Sequence, residues 1–431
     1  MRNESIFPLL CFLLWFSINV VEAEDFAAMN NIPYNYIGNK DFLSDSSSER
    51  VLSPKLLMNN SILYVSTTNG SFYSFINSKW EKSKPLNMDD STASVQCNTL
   101  IGSDMVFDKN GTVYVSAQDG IVDHIEWLLA KDQEKTRFEC GPGKGRIALL
   151  KYSLPNGWDF MTKRGEGIFP ARYNGQLLIN NQGELFSTSA SITNPPSLVI
   201  QKFSAGKLSL WGGNILFPRH SIVRFTKEDR MVIGYVDLKE QKLQVKIYDQ
   251  GKWSNIGNTM VKLSDHSEIY SLAIDAKDNI YIAFSNYKCA NNKNSDKDCQ
   301  QLIHTLKWSD AKWTYVGSEI PSYSQYKFNL HIDINGNIYA SLLGILNDGQ
   351  KVKDDKTKTN INNINVLRLV NDKWVKIINI PTYDEYTNSI VSDKNGNVYL
   401  LISEKLKNYS VVQVKKDDID QYLDAFSPQS K

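Results

Sequence analysis

Histidine is scarce in this chain, with five among 431 residues, and none stands in a pattern that catalysis or metal binding requires. The His-Glu-x-x-His helix of zinc hydrolases and the Gly-x-Ser-x-Gly turn of serine hydrolases are both absent. The glycine-rich stretch 140–146 lacks the Lys-Ser/Thr ending of a phosphate-binding loop. We therefore predict no catalytic residue, no metal site and no cofactor, and favour a protein that is not an enzyme.

An excess of either charge is also missing. The chain has 48 basic and 47 acidic residues, a net charge of +1, and no long basic tract. Binding to nucleic acid depends on clustered Lys and Arg that neutralise phosphates. The composition thus disfavours a nucleic-acid partner.

Only one long apolar run occurs, from Ile6 to Val21. Arg2 precedes it, and Val21-Glu22-Ala23 follows with the small residues that signal peptidases prefer. We predict a signal peptide over residues 1–23, and an uncleaved membrane anchor is the alternative. The mature protein is expected to be secreted, extracellular or periplasmic, monomeric and without membrane insertion.

One phrase recurs along most of the sequence: an apolar pair, an Asp-x-Asn-Gly turn and an apolar-aromatic strand. Its strongest copies are Val106–Tyr114, Ile274–Tyr281, Ile332–Tyr339 and Ser392–Tyr399, and its weaker copies are Asn59–Val65, Asn180–Phe186 and Thr226–Val232. A tryptophan follows six of these seven phrases in a strand-like context: Trp80, Trp158, Trp211, Trp253, Trp313 and Trp374. Each unit then contains four short strands, which is the blade of a β-propeller.

We therefore predict an all-β fold, a seven-bladed β-propeller of four-stranded antiparallel blades, over residues 55–431. Residues 24–54 form an N-terminal segment and are the candidate for the closing strand of the last blade, because a closed ring leaves no free edge. The Asp-x-Asn-Gly phrase predicts a hairpin turn, since Asn and Gly accept positive φ at low cost. A calcium loop is the alternative, although further oxygen ligands are lacking.

The repeat register also predicts two faces. The turn between the first and second strands lies on one face, and the long insertions lie on the other, which we call the insertion-rich face: 118–146, 287–301 and 345–363. Cys97 and Cys140 both fall on that face, and Cys289 and Cys299 bracket one insertion. We predict disulfides that pair Cys97 with Cys140 and Cys289 with Cys299. Apolar spacing also predicts a short helix over 121–135.

Loops on one face of a repeat protein are the usual binding surface. The connections between blades are rich in polar and aromatic residues, which supply stacking surfaces and directional hydrogen bonds for a glycan or a protein partner. The candidate ligand-binding residues are Arg164, Arg172, Tyr173, Arg219, His220, His266, Tyr323, Tyr326, Tyr383, Asp384, Glu385 and Tyr386. The tryptophans are interpreted as packing between blades, and a ring of sugar-stacking tryptophans is the alternative.

The phrases Ile332–Tyr339 and Ser392–Tyr399 resemble the strand-turn-strand unit of NHL-type and related bacterial sensor propellers. This resemblance implies a platform for ligands or partners, and in some members a lactonase-like metal enzyme with its site at the central channel. The favoured function is a non-enzymatic recognition module that binds a glycan or a protein through the insertion-rich face. The alternatives are a metal-assisted hydrolase with acidic ligands at the channel and a structural envelope or matrix protein.

Overall fold

The computed structural model describes residues 32–40, 42–44, 54–67, 72–83, 100–119, 121–123, 138–140, 146–153, 157–164, 175–191, 197–216, 218–257, 261–264, 267–289, 299–322, 327–343, 362–382, 389–405 and 408–426. All of these belong to one compact unit, Asn31–Lys431. The predicted signal peptide lies outside the described residues.

The described chain forms seven antiparallel sheets of at least four strands, the blades, and one separate two-stranded hairpin. Strands β1 (Asn35–Tyr36) and β2 (Leu43–Ser44) belong to the last blade. Blade 1 contains β3 (Lys55–Asn59), β4 (Ile62–Ser66), β5 (Phe72–Ile76) and β6 (Lys79–Lys82). Blade 2 contains β7 (Leu100–Phe107), β8 (Val113–Asp119), β11 (Arg146–Ser153) and β12 (Gly157–Phe160), with a separate hairpin of β9 (Ile121–Asp123) and β10 (Phe138–Cys140) between β8 and β11.

Blade 3 contains β13 (Leu177–Ile179), β14 (Leu185–Ser191), β15 (Ser197–Ser204), β16 (Lys207–Leu210) and the short β17 (Ile215–Leu216). Blade 4 contains β18 (Pro218–Phe225), β19 (Met231–Asp237), β20 (Lys242–Asp249) and β21 (Lys252–Asn255). Blade 5 contains β22 (Ile269–Ile274), β23 (Ile280–Cys289), β24 (Cys299–Ser309), β25 (Lys312–Tyr315) and the short β26 (Ile320–Ser322).

Blade 6 contains β27 (Lys327–Ile332), β28 (Ile338–Leu343), β29 (Asn362–Val370) and β30 (Lys373–Thr382). Blade 7 contains β31 (Ile390–Ser392), β32 (Val398–Lys405) and β33 (Asn408–Val414), followed by helix α1 (Lys416–Phe426). The fold is a seven-bladed β-propeller, which confirms the predicted fold class. The start of the predicted helix at 121–135 is wrong, because Ile121–Asp123 pairs with β10 as a strand.

Blade 7 is completed by the N-terminal segment. Strand β33 pairs with β32 on one side and with both β1 and β2 on the other, through Asn35 with Gln413 and Leu43 with Tyr409. Phe42 in this segment stacks on Trp80 of blade 1, with ring centroids 4.1 Å apart. The segment therefore joins blade 7 to blade 1.

The apolar core lies between blades. Each of the seven buried clusters of described residues combines side chains from two neighbouring blades. The tryptophans contribute to these interfaces: Nε1 of Trp253 donates to the carbonyl of Gly212 at 2.7 Å, and Nε1 of Trp313 donates to that of Ile256 at 2.8 Å. The first strands of most successive blades contact one another. Side-chain hydrogen bonds join the other two pairs, β3 with β7 and Gln176, directly before β13, with β18, and the seven first strands surround a central channel.

Each Asp-x-Asn-Gly phrase forms the turn between the first and second strands of a blade. In blade 6, Asp333 Oδ1 accepts the N–H groups of Asn335 and Asn337 at 2.9 and 2.8 Å, and its Oδ2 accepts Asn337 Nδ2 at 2.7 Å. Only the glycine has positive φ, with Gly336 at 82°, whereas the sequence suggests positive φ at Asn as well. The turn is thus a three-residue loop with a glycine bulge, and its aspartate holds the backbone.

No helix formed by the described residues is both long enough and apolar enough to span a membrane.

The turn aspartate is expected to stabilise its blade. Replacing Asp333, which is buried, by Ala removes charge-assisted bonds to two backbone N–H groups and should lower the free energy of unfolding by about 2 kcal/mol. The control is Asp249→Ala at the exposed end of β20, which should have little effect. Denaturant unfolding measures both variants, and equal losses would contradict a special role for the turn.

The closing contact should also be sensitive to substitution. Phe42→Ala removes the ring that stacks on Trp80 and is expected to cost about 2 to 3 kcal/mol, while Phe42→Leu keeps apolar bulk and should cost less. Thermal melting compares the two variants with the unmodified protein. An unchanged melting temperature for Phe42→Ala would show that the contact does not stabilise the ring.

Candidate functional site

One position of the first strands forms a ring of polar side chains around the channel. It lies four residues before the first residue of each turn, and we call its polar members the polar ring: Lys55, Asp104, Gln176, Ser271, Asn329 and Ser389. Blade 4 carries Ile222 at this position. Along each first strand, the residue at this position alternates with buried apolar residues of the core, because successive side chains of a strand point to opposite faces.

Several polar-ring side chains bond to the backbone of the next blade. Asp104 Oδ2 accepts the N–H of Leu177 at 3.1 Å, and Gln176 Oε1 accepts that of Val223 at 2.9 Å. Ser271 Oγ accepts the N–H of Leu330 at 3.0 Å. These equivalent hydrogen bonds fix the orientation of side chains around the channel, because each is formed with the backbone of a rigid neighbouring strand.

A cavity of about 960 Å³ occupies the channel. It extends from the beginnings of the first strands, at Lys55, Tyr270 and Ser389, to their turns, at Lys227 and Asp275. Since first strands begin on the insertion-rich face, the cavity reaches towards that face. Five polar-ring residues line it, all except Ser271.

Arg224 is the most unusual group in the cavity wall. Its guanidinium donates one hydrogen bond, from Nη1 to the carbonyl of Val223 at 2.8 Å, and no carboxylate of the described residues forms an ion pair with it. Burial lowers the pKa of Arg224, and the charge of Asp104 partly offsets this effect. Arginine side chains are not deprotonated in proteins, so Arg224 is treated as a cation.

Tyr270 supplies a hydroxyl to the same wall. Burial raises the pKa of Tyr270 to about 12, so the phenol is neutral at physiological pH. Its oxygen accepts a hydrogen bond from Gln301 Nε2 at 2.8 Å.

β-Bulges shape the channel wall in three blades. Register shifts occur at Gly102/Asp104 in β7, at Arg219/Ile222 in β18 and at Ile269/Ser271 in β22. A bulge redirects the side chains beside it and is common next to binding sites. His220 lies within the second bulge at φ 48°, and its Nε2 is 3.5 Å from Oε1 of Glu268 in blade 5.

Three of the residues predicted to bind ligand are described. Arg219 and His220 lie in β18, a first strand, whereas Arg164 follows β12, the outermost strand of blade 2. The Arg164 guanidinium lies 4.9 Å from the ring centroid of Phe160. The other predicted residues lie outside the described residues: Arg172, Tyr173, His266, Tyr323, Tyr326, Tyr383, Asp384, Glu385 and Tyr386.

The disulfide prediction remains untested. The backbone of Cys289 is the direct cross-strand partner of Cys299 in the β23–β24 pair. Directly opposed residues of antiparallel strands have Cα atoms about 4.5 to 5.5 Å apart, a separation that a disulfide can span. Cys140 pairs through its backbone with Ile121, and Cys97 lies outside the described residues.

Within the part of the chain that the structure describes, no three His, Cys, Asp or Glu side chains are grouped to hold a metal ion. The turn aspartates, which a calcium loop would need, direct their oxygens to the turn: Asp275 Oδ1 accepts the N–H groups of Lys277 and Asn279, and its Oδ2 accepts Asn279 Nδ2. These contacts give the aspartates a structural role.

A second cavity, of about 580 Å³, lies on the face that carries the turns between first and second strands. His331, Ser392 and Lys394 are among the residues that line it. A hydrogen bond of 2.7 Å joins His331 Nε2 and Ser392 Oγ across blades 6 and 7. Burial lowers the pKa of His331 to about 4, against a smaller opposing effect of Asp333. The imidazole is therefore neutral at physiological pH.

No protein-family model matches this sequence, and no curated protein matches it. Several solved structures are similar to this chain at low identity. The polysaccharide lyase Uly1 is 11% identical, with 91% of this chain and 94% of that chain covered and a TM-score of 0.48. The propeller domain of Cps50 (Swd1) from Myceliophteria thermophila is 8% identical, with 86% and 99% covered and a TM-score of 0.45.

The SapL1 lectin, solved in complex with alpha methyl fucoside, is 11% identical, with 76% of this chain and 95% of that chain covered and a TM-score of 0.41. At such low identity none of these likenesses bears on what this chain binds. The resemblance to NHL-type repeats stays a prediction.

The neutral His331 should make stability depend on pH. Its pKa is about 4 when folded and about 6.5 when unfolded, so the unfolded chain binds the extra proton between these values. Stability should fall as the pH drops from about 6.5 to about 4, by at most about 3 kcal/mol from this group. In His331→Gln this part of the pH dependence should disappear. A difference in unfolding free energy between the two proteins that is constant with pH would contradict the prediction.

Proposed function

We propose that this protein is a recognition propeller that binds a saccharide in its central channel, reached from the insertion-rich face. The observation that carries the proposal is the cavity of about 960 Å³ with a wall of fixed polar side chains. A ligand pocket of several hundred Å³ with a few directed polar groups is the usual form of a small-molecule site. Its function is recognition and not catalysis.

The chemistry of the wall suits sugar hydroxyl groups. The wall contains the amide of Asn329, the hydroxyl of Tyr270 and the ammonium of Lys327, and therefore both hydrogen-bond donors and acceptors. Phe225, which is half-buried, adds apolar surface to the same cavity, which the C–H faces of a sugar ring can contact. Such a mixture of directional and apolar groups is less suited to a purely apolar ligand.

The wall is also preorganised. Asp104 and Gln176 are held by backbone N–H groups of the next blade, at 3.1 and 2.9 Å. Side chains that are already fixed lose little conformational entropy when a ligand binds. This rigidity supports binding in the channel.

The cellular location belongs to the proposal as well. We propose that residues 1–23 direct export and that the mature chain, from residue 24, works outside the cytoplasm. The predicted cysteine pairs fit that compartment.

The experiment blocks the channel. Ser389→Trp places a large ring in the cavity wall, and the matched control Ser254→Trp places the same ring on exposed β21. The mature protein is first screened on a glycan array, and the best oligosaccharide is then titrated calorimetrically. We expect Ser389→Trp to weaken binding at least about tenfold, about 1.4 kcal/mol, and Ser254→Trp to leave it unchanged.

Two results would overturn the proposal. Unchanged binding by a folded Ser389→Trp protein would place the site away from the channel. Absence of binding to any glycan would exclude a saccharide ligand and make a protein partner the next candidate. Circular dichroism of both variants checks that the extra ring has not unfolded the blades.

A further inference from the structure

The channel cavity is more basic than the protein as a whole. Four basic side chains and two acidic ones line it, whereas the complete chain has 48 basic and 47 acidic residues. The basic residues are Lys55, Arg224, Lys227 and Lys327, and the acidic ones are Asp104 and Asp275. A cleft lined by one sign of charge concentrates the field and attracts ligands of the opposite sign.

Both cavity carboxylates are already engaged. Asp104 Oδ1 accepts Lys55 Nζ at 2.8 Å, and its Oδ2 accepts the N–H of Leu177 at 3.1 Å. Asp275 accepts two turn N–H groups, and its Oδ2 also accepts the hydroxyl of Tyr281 at 3.3 Å. Neither carboxylate forms an ion pair with Arg224.

The guanidinium of Arg224 thus lies in a partly buried cavity with one hydrogen bond, to the Val223 carbonyl. A guanidinium has five N–H donors in a planar fork, and burying its charge without an opposite charge is unfavourable. Arg368 of the same protein does have a carboxylate partner, because its Nη1 donates to Asp420 Oδ1 at 2.9 Å. The position of Arg224 is best explained if an anion from outside the chain completes it.

We propose that the central channel binds an acidic saccharide and that Arg224 receives its carboxylate. This inference rests on the proposed function and names the ligand class of the same site. A carboxylate matches the planar fork and can accept two parallel N–H bonds. Lys227 and Lys327 add further positive charge to the same cavity. The ligand class is therefore a carboxylated saccharide, and uronic-acid oligosaccharides are the probe for it.

The experiment compares oligosaccharides that differ only in charge. Uronic-acid oligosaccharides are titrated against the mature protein beside the neutral sugars made from them by reducing each carboxyl group to an alcohol. We expect the acidic member of a pair to bind at least about tenfold more tightly, because the reduced sugar cannot form the charge-assisted hydrogen bond to Arg224. Raising the salt from about 0.1 M to about 1 M should weaken the acidic ligand selectively.

Three variants locate the effect. Arg224→Gln should lose the preference for the acidic sugar, and Arg224→Lys should keep part of it, because the charge remains without the fork. Lys252→Gln, on the exposed outer strand of the same blade, removes the same charge and should change nothing. A structural role for Arg224 would lower the melting temperature, whereas we expect Arg224→Gln to melt at or above that of the unmodified protein.

The outcomes separate the two proposals. Equal affinity for acidic and reduced sugars, or an unchanged preference in folded Arg224→Gln, overturns the acidic-ligand inference and leaves saccharide binding in place. Absence of binding to both members of every pair overturns the proposed function and the inference together. Preference for sulfated over carboxylated sugars of equal charge also overturns the assignment of a carboxylate.

Discussion

The packing of each blade against its neighbours is the constraint on which the rest of this structure depends. Every apolar cluster of the described residues is shared by two blades, so no blade buries its own faces alone. A sheet with two apolar faces is stable only between two others, and a closed ring is the arrangement that satisfies all of them. The tryptophans belong to these interfaces, which is why their indole N–H groups bond to the backbone of the preceding blade.

The same constraint creates the channel and sets its chemistry. First strands that are packed on both faces still leave a row of side chains towards the axis, where the ring is narrowest. In most blades these side chains are polar and bond to the next blade, as Gln176 does with the N–H of Val223. Arg224 departs from this pattern, since its guanidinium forms no ion pair with the described residues and the nearby charge of Asp104 only partly offsets its burial. The ligand site that we propose rests on these two features, a rigid wall and a guanidinium without an ion-pair partner among the described residues.

Much of the fold could be predicted from the sequence because the Asp-x-Asn-Gly phrase is local. Its aspartate, glycine and following tyrosine all belong to one hairpin turn and the strand after it. The same residue types therefore recur at the same spacing in several repeats. The polar ring repeats only in position: Lys55, Asp104, Gln176 and Ser271 share a chemical role but no residue type. It becomes visible when the seven first strands are aligned on their turns.

The site was harder to predict for a second reason. Alternation along a first strand is the same whether a polar side chain faces solvent, a neighbouring blade or the channel. Arg224 stands directly before Phe225 and Thr226, where nothing in the sequence distinguishes it from an exposed strand residue. The sequence predicts a site in the connections between blades because these segments are rich in aromatic and polar residues. Most of those residues lie outside the described residues.

The pairing of β1 with β33 has a consequence for how the chain acquires its shape. Asn35 is made early during synthesis, but its partner Gln413 is made only after all the other blades. Contacts between residues so far apart in sequence are slow to form, because a long loop must close before they are gained. The N-terminal segment has no strand to pair with until β33 has been made. We therefore expect the joining of the two ends of the domain to be a late step of folding, and the ring around the central channel to close with it.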